Sequence, residues 1–434
     1  MSKRYEKDNE YDEYQDYEEY TVDGVEEYYE EEKKSKGKKK KKGKKVAILV
    51  AELFAIAILS FTLVLLLMPN AKSWLLGTPV GKFFVKLVVS EEDYKRIYDD
   101  NFDRENLHIN DDLDDDGMEG YYNIALFGLD SRNGEVEKGV NSDSIIVVSI
   151  HEKTGEVKMC SVYRDSWLRV ARPNDDFEYG RINSAYTQGG ALAAIKTLNA
   201  NLDLNISDYA SVNFAGLANI IDLLGGIDIN ITSEEQYWIN QYLTETRKVT
   251  GMWADDVYSC GNVHLNGLQA VAFCRIRLAA FHDEDGTVYN NDFGRTARQR
   301  RIIMKMIGLA KEAGVGQVMD IANEIFYGDE QFIYTSIPYD EIIDLIPTLL
   351  KFEMVGSEGF PYTYTSQKHV PGIKEAWPIT ANGFTYNVYK LHEFLFNDDD
   401  YHPSKTVKNI NDMLYSMTGI EEERLPGDEN LVID

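Results

Sequence analysis

Arginine and aspartate recur in short runs along this chain. The densest is DFGRTARQRR over residues 292–301, where Arg295, Arg298, Arg300 and Arg301 follow Asp292. The chain carries a net charge of −28. A knot of guanidinium repels itself unless an anion sits in it or carboxylates surround it. Companion runs are Asp130-Ser131-Arg132, Ser142-Asp143-Ser144, Arg164-Asp165 and Arg275-Ile276-Arg277. Guanidinium forks match phosphate oxygens. A site gathering Arg164, Arg275, Arg277, Arg295 and Arg298 suits a diphosphate better than one phosphate. Asp130, Asp143 and Asp292 are hard oxygen ligands, suited to Mg²⁺ with phosphates completing its shell. At helical spacing Arg298 and Gln299 each lie within about 60° of Arg295. They are expected to face the site, while Arg300 and Arg301 turn toward solvent or salt bridges. Nucleic acid is the other polyanion, but the domain over 121–400 is acidic and has no basic stripe.

These residues need elements to position them. YNIALFGLD (122–130) is a buried-strand pattern. SDSIIVVSI (142–150) and EVKMCSVYRDS (156–166), joined by the turn HEKTG, read as a hairpin. GGALAAIKTLNANL (189–202) has helical spacing, and 208–231 reads strand, helix, Gly-Gly stop, strand. LNGLQAVAFCRIRL (265–278) reads as a short helix running into a strand, which would point Arg275 and Arg277 to one face. Residues 294–314 form a long helix whose apolar side begins at Ile302. The alternation predicts an α/β fold, a central mixed β-sheet flanked by helices, over 121–400. Residues 401–434 add a further helix and a polar tail. In such sheets ligands collect at the carboxyl ends of strands. Asp130, Ser131, Arg132, Arg164 and Asp165 all follow predicted strands.

Composition divides the rest. Residues 1–45 are acidic and tyrosine-rich, then lysine-rich from 33, and predict a disordered tail. VAILVAELFAIAILSFTLVLLLM (46–68) has one charge, Glu52, and stops at Pro69. It is long enough for one transmembrane helix. The lysines beside it place the tail in the cytoplasm and everything after it outside. Residues 69–120 read as an extracellular stem, and DDLDDDG within them as an acidic linker. Its calcium-loop spacing fails at Asn123, where a bidentate glutamate is needed. Cys160, Cys260 and Cys274 are too few for a disulfide framework or a zinc site.

Taken in order, LDSR (129–132), SDS (142–144), YRDS (163–166), RINSAYTQGG (181–190), LNGLQAVAFCRIR (265–277) and DFGRTARQ (292–299) resemble the LytR-CpsA-Psr (LCP) family of bacterial cell-envelope proteins. The resemblance implies a membrane-anchored phosphotransferase. Such a protein moves a glycopolymer, teichoic acid-like or capsular, from an undecaprenyl diphosphate carrier to peptidoglycan through a phosphodiester. It implies a single-pass protein of a Gram-positive-type envelope, with Mg²⁺ or Mn²⁺ held by Asp130 and Asp143. The diphosphate would lie on Arg132, Arg164, Arg181, Arg275, Arg277, Arg295, Arg298 and Gln299. Arg164, Asp143, Arg275 and Arg277 would carry the chemistry, with Asp143 and Asp165 as candidates for the general base. The prenyl chain would need an apolar groove, for which faces 189–202 and 215–224 are available. Two positions depart from the family pattern, one of them mildly, with Ser144 in place of a threonine. Asn141 stands where an arginine is usual, which removes one positive charge, and Arg132 or Lys138 would have to compensate. Two further classes fit the same resemblance: a non-catalytic polyprenyl-phosphate binder and a regulator of the attenuator type.

Overall fold

The computed structural model describes residues 78–420 except 80, 83–85, 87–89, 114, 131–139, 175, 314–320, 322–332 and 350. The tail, the apolar segment 46–68, Arg132, Lys138 and the last residues lie outside the described residues. Among the described residues no helix is long and apolar enough to cross a membrane.

Six strands form the central sheet: β1 (Tyr121–Leu129), β2 (Ser142–His151), β3 (Glu156–Val162), β6 (Asp208–Asn213), β11 (Ile333–Thr335) and β12 (Glu353–Phe360); the short strands β4 (Trp167–Ala171), β5 (Phe177–Arg181), β7 (Ile227–Ile231), β8 (Gly261–Leu265), β9 (Phe281–His282) and β10 (Val288–Tyr289) pair outside it. Their order is β11-β6-β1-β2-β3-β12. β1 pairs antiparallel with β2 and parallel with β6, and β12 runs parallel to β3, so the sheet is mixed. β1, β3 and β6 therefore end at one edge, where β2 begins. Asp130, Asp143, Arg164 and Asn213 meet there because of this topology.

The two faces of β1 bury different layers. Ala125, Phe127 and Leu129 join the core built by helix α1 (Ser184–Leu202). Ile124 belongs to the opposite layer, with Ile146 and Val148 of β2. A third cluster, around Ile239, Leu268, Phe273 and Ile276, packs helices α2 (Phe214–Leu223), α3 (Ser233–Thr250) and α4 (Gly267–Cys274) together. Helix α5 (Asn291–Glu312) lies over the sheet, and helix α6 (Tyr339–Leu349) follows β11. Helices α7 (Phe384–Phe396) and α8 (Lys405–Thr418) bury Leu391, Leu395, Ile410 and Leu414 in the α1 core. At the other end of the chain, Tyr94, Ile97 and Met118 are buried and Asp99 N–H donates to Thr335 O, so packed structure reaches back past Tyr121.

Several elements differ from the sequence reading. The third strand stops at Val162, and Trp167–Ala171 (β4) and Phe177–Arg181 (β5) form a separate hairpin. α1 starts at Ser184, before the two glycines, and the non-helical Gly190, φ 68°, divides it, so the segment read from the sequence is its second part. Arg275 and Arg277 are not in a strand: Arg275 caps α4 and the chain then leaves regular structure. α3 was not expected at all, although Thr232 and Glu235 form a capping box at its start. The three cysteines are free, Cys160 and Cys274 buried and Cys260 exposed.

His392 on α7 gives the fold a pH dependence. Its Nε2–H donates to Leu202 O at 2.9 Å and its ring stacks on Tyr401. Burial outweighs the pull of Leu202 O and Asp203 and depresses its pKa from 6.5 to about 4. The unfolded chain thus binds a proton that the folded chain refuses between those values. Stability is complete above pH 6.5 and falls by roughly 3 kcal/mol as pH drops to 4. Urea titrations at pH 7 and 4.5 should show a smaller acid loss in His392→Gln than in the parent chain.

Candidate active site

Four guanidinium groups and three carboxylates interlock at the sheet edge. Arg164 reaches Asp143 at 2.7 Å, Asp165 at 3.5 Å and Asp292 at 3.7 Å. Arg295, 3% exposed, donates through Nη2 to Asp143 O (2.8 Å) and to Asp292 Oδ2 (3.0 Å). Arg277 stands between Asp292 (3.3 Å) and Asp143 (3.6 Å). Arg181 extends the chain outward, 3.1 Å from Asp165. Burial pushes the Asp143 carboxyl up, but Arg164, Arg295 and Arg277 outweigh it and hold it below its ordinary value. Burial pulls Arg295 down against the attraction of Asp292, yet a guanidinium stays protonated.

The cluster opens into a cavity of about 680 Å³. Asp130, Asp143, Arg275, Arg277, Arg295 and Gln299 line it, together with a much larger apolar wall. That wall comes from the α2 residues Leu217, Ile220 and Leu224, the sheet residues Leu126, Ile146 and Val212, and the α5 residues Ile302, Ile303, Met306, Ile307 and Ala310. Along α5 the lining changes from Arg295 and Gln299 to Ala310 over about 22 Å. Gly128 is needed on the sheet side, where a Cβ would come within 2.9 Å of Ser144 Cβ. The helix N-terminus beside Asp292 adds partial positive charge at the polar end.

Several buried polar atoms here lack a hydrogen-bond partner: Asp130 Oδ1, Asp292 Oδ1, Arg164 Nε, Arg295 Nε and Gln299 Oε1. Of these residues Asp130, Arg295 and Gln299 line the cavity; buried polar groups are rarely left unpaired, and three facing one cavity point to a polar ligand.

The predicted residues separate into groups. Asp130, Asp143, Arg164, Arg277, Arg295 and Gln299 are brought together as expected. Arg275 reaches the cavity wall, but its guanidinium donates to Thr246 Oγ1 and Glu245 and lies over Phe214, outside the ionic cluster. Arg181 sits on the outer side and does not line the cavity. Arg298 is a correction. It is fully buried, paired with Glu235 at 2.9 Å, and donates to the carbonyls of Ile276, Ala279 and Ala280. No anion can reach it; it holds the loop that carries Arg277. Of the two groove faces, α2 lines the cavity while α1 packs against the opposite face of the sheet, so residues 189–202 are excluded. Arg301 pairs with Asp283 and Glu284, as expected for an outward side, whereas Arg300 is buried and donates to Ser357 Oγ. Asn141 accepts from Thr187 Oγ1.

Comparison with known proteins assigns the domain that carries this arginine–carboxylate cavity to a family. The LytR_cpsA_psr family model matches residues 84–371. The chain belongs to this family. It is 28% identical over 222 residues, 51% of its length and 62% of the relative's, to the Polyisoprenyl-teichoic acid--peptidoglycan teichoic acid transferase TagU of Bacillus cereus. It is 32% identical over 192 residues, 43% of each chain, to Biofilm regulatory protein A of Streptococcus mutans. It thus spans less than two thirds of the length of these curated relatives. Among solved structures, protein gbs0355 from Streptococcus agalactiae superposes with a TM-score of 0.50 at 22% identity, covering 66% of this chain and 90% of that one.

Proposed function

We propose that the chain is a membrane-anchored phosphotransferase. It would move a glycopolymer from a polyprenyl diphosphate carrier to peptidoglycan, forming a phosphodiester. The observation that carries this reading is one cavity whose wall passes from arginine and aspartate to continuous hydrocarbon, the shape of a lipid diphosphate. The names of the Bacillus relatives support the same substrate and acceptor. The apolar segment 46–68 supports a membrane anchor, with the lysine run placing the domain outside.

Charge arithmetic bears on a metal. Arg164, Arg181, Arg277 and Arg295 face Asp143, Asp165, Asp292 and Asp130, so the cluster is close to neutral before a diphosphate enters. Among the described residues no group of three metal-ligating side chains occurs. Two carboxylates with substrate phosphates are nevertheless a usual Mg²⁺ environment, and Asp130 has an unpaired buried oxygen. Asp130 and Asp143 therefore fit Mg²⁺ or Mn²⁺, which would offset phosphate charge when bound.

The chain's own residues would do the rest. Arg277 and Arg295 grip the diphosphate and stabilise charge on the phosphorus under attack. The acceptor hydroxyl oxygen forms the new bond to the glycan-bearing phosphorus. The bond to the bridging oxygen breaks, and prenyl monophosphate leaves with its electron pair. The hydroxyl proton passes to a carboxylate. Asp143 is a poor base because three arginines lower its affinity for a proton; Asp165, at the outer side, is better placed. The hydrocarbon wall keeps the carrier's tail out of water throughout.

Binding of synthetic prenyl diphosphates tests the reading. Affinity should rise with each added isoprene unit until the cavity is filled, at up to ~0.8 kcal/mol per buried methylene. The matching prenyl alcohols should bind far more weakly. Equal affinity for alcohol and diphosphate would contradict a diphosphate-reading site.

A further inference from the structure

Trp377 is 57% exposed and has a left-handed backbone, φ 61°. An exposed tryptophan leaves apolar surface in water, and left-handed φ is costly for a bulky side chain. The residue is nevertheless fixed. Its N–H donates to Lys368 O, and Pro378 behind it is buried. The loop before it is anchored by buried Val370 and Ile373. At Gly372, φ 75°, a Cβ would come within 2.1 Å of Met417 O, so the loop lies tight on α8. The exposure is therefore that of a rigid platform.

Two contacts tie this platform to the active site. Arg181 donates to Ala376 O, and Ile379 N–H donates to Asp165 O at 2.9 Å. The ionic chain Arg277–Asp143–Arg164–Asp165–Arg181 thus runs from the cavity to the residue before Trp377. Arg164, Asp165 and Arg181 do not line the cavity. The cluster has two sides: one faces the hydrocarbon wall, and the other meets the backbone on either side of the exposed Trp377. A lipid-linked donor enters from the first. The second carries the parts that recognise a sugar. An aromatic face takes the C–H side of a pyranose ring, and a carboxylate and a guanidinium take its hydroxyls.

We infer that Trp377, with Asp165 and Arg181, forms the acceptor subsite, which holds a glycan ring of peptidoglycan so that its hydroxyl meets the phosphorus from the side opposite the lipid. This rests on the phosphotransferase reading and adds to it the place of the second substrate. Trp377 acts by stacking and takes no part in the chemistry. It lies beyond the region matched by the family model, which ends at residue 371.

The test uses the full chain in detergent micelles, a prenyl diphosphate-linked saccharide, peptidoglycan glycan oligomers and Mg²⁺. Trp377→Ala should raise the KM for the oligomer at least tenfold and leave kcat at saturating oligomer, the KM for the donor and Tm nearly unchanged. Trp377→Phe, which keeps an aromatic face, should recover most of the loss. An unchanged acceptor KM in an active Trp377→Ala variant overturns the subsite alone. A rise in donor KM instead of acceptor KM also overturns it, because the indole would then hold the donor's saccharide. Failure of the parent chain to bind any prenyl diphosphate removes the phosphotransferase reading and this subsite with it.

Discussion

Replacing Arg277 with alanine is expected to lower glycopolymer transfer by about 10³-fold while leaving the fold intact. The side chain is 39% exposed and forms long ion pairs with Asp143 and Asp292, which Arg164 and Arg295 also hold, so its loss leaves no unpaired charge there. Its guanidinium is the most open in the cluster, which makes it the one best able to follow charge as the phosphorus reacts. Ground-state binding should suffer less, because Arg295 still holds the diphosphate and the hydrocarbon wall still holds the tail. The loss should therefore appear mainly in kcat, with donor affinity reduced about tenfold at most. Arg277→Lys should recover only part of the rate, since an ammonium cannot make the planar two-point contact. Steady-state transfer kinetics with a urea titration of each variant separate the two effects. A variant with normal kcat would remove Arg277 from the machinery.

Arg298→Met should cost 3–5 kcal/mol of stability, the usual result of removing one partner from a buried ion pair. Arg298 is fully buried, and Glu235 is 4% exposed. Glu235 has two tasks: Oε2 accepts from Thr232 N–H and closes the α3 capping box, and Oε1 takes Arg298. Without the guanidinium that carboxylate would be a buried uncompensated charge, and three loop carbonyls would lose their donor. Burial lowers the pKa of Arg298 against the pull of Glu235, a sign that the pair is needed to hold a charge there. Adding Glu235→Gln should recover part of the loss by removing the orphaned charge while keeping an oxygen for the cap. Urea unfolding of the single and double variants gives the coupling energy directly. Because the freed loop carries Arg277, transfer should fall too, at temperatures where the variant is still folded. An Arg298→Met chain as stable as the parent would mean the pair contributes nothing.

The strongest periodic signals in the sequence survive in the structure. β1, β2 and α2 occupy the segments their patterns indicated, and the carboxyl ends of β1 and β3 deliver Asp130 and Arg164 to one edge as strand logic requires. Helix spacing placed Arg295 and Gln299 on the cavity side correctly. It failed for Arg298 because spacing identifies a shared face but not what already occupies it. Glu235, the partner of Arg298, lies 63 residues away on a helix that was missed. That helix had a readable start in Thr232-Ser233-Glu234-Glu235, but its polar surface gave a weak periodic signal. The apparent alternation Arg275-Ile276-Arg277 suggested a strand. A helix end followed by irregular chain produces the same buried Ile276 between two arginines. The choice between groove faces was also beyond the sequence, since α1 and α2 are both apolar and only the sheet topology separates them. Nothing in the local sequence around Trp377 marks it, because its role depends on contacts to Asp165 and Arg181 made through the fold.

The decisive measurement is transfer itself. The full chain would be incubated with a prenyl diphosphate-linked saccharide, short peptidoglycan oligomers and Mg²⁺, and the oligomers would be followed by mass spectrometry. If the chain is a phosphotransferase, oligomers gain the saccharide together with one phosphate, prenyl monophosphate is released in equal amount, and both products are lost with EDTA. Tight binding of the lipid diphosphate with unmodified oligomers under every condition would contradict the phosphotransferase account and leave a carrier of polyprenyl phosphates in its place.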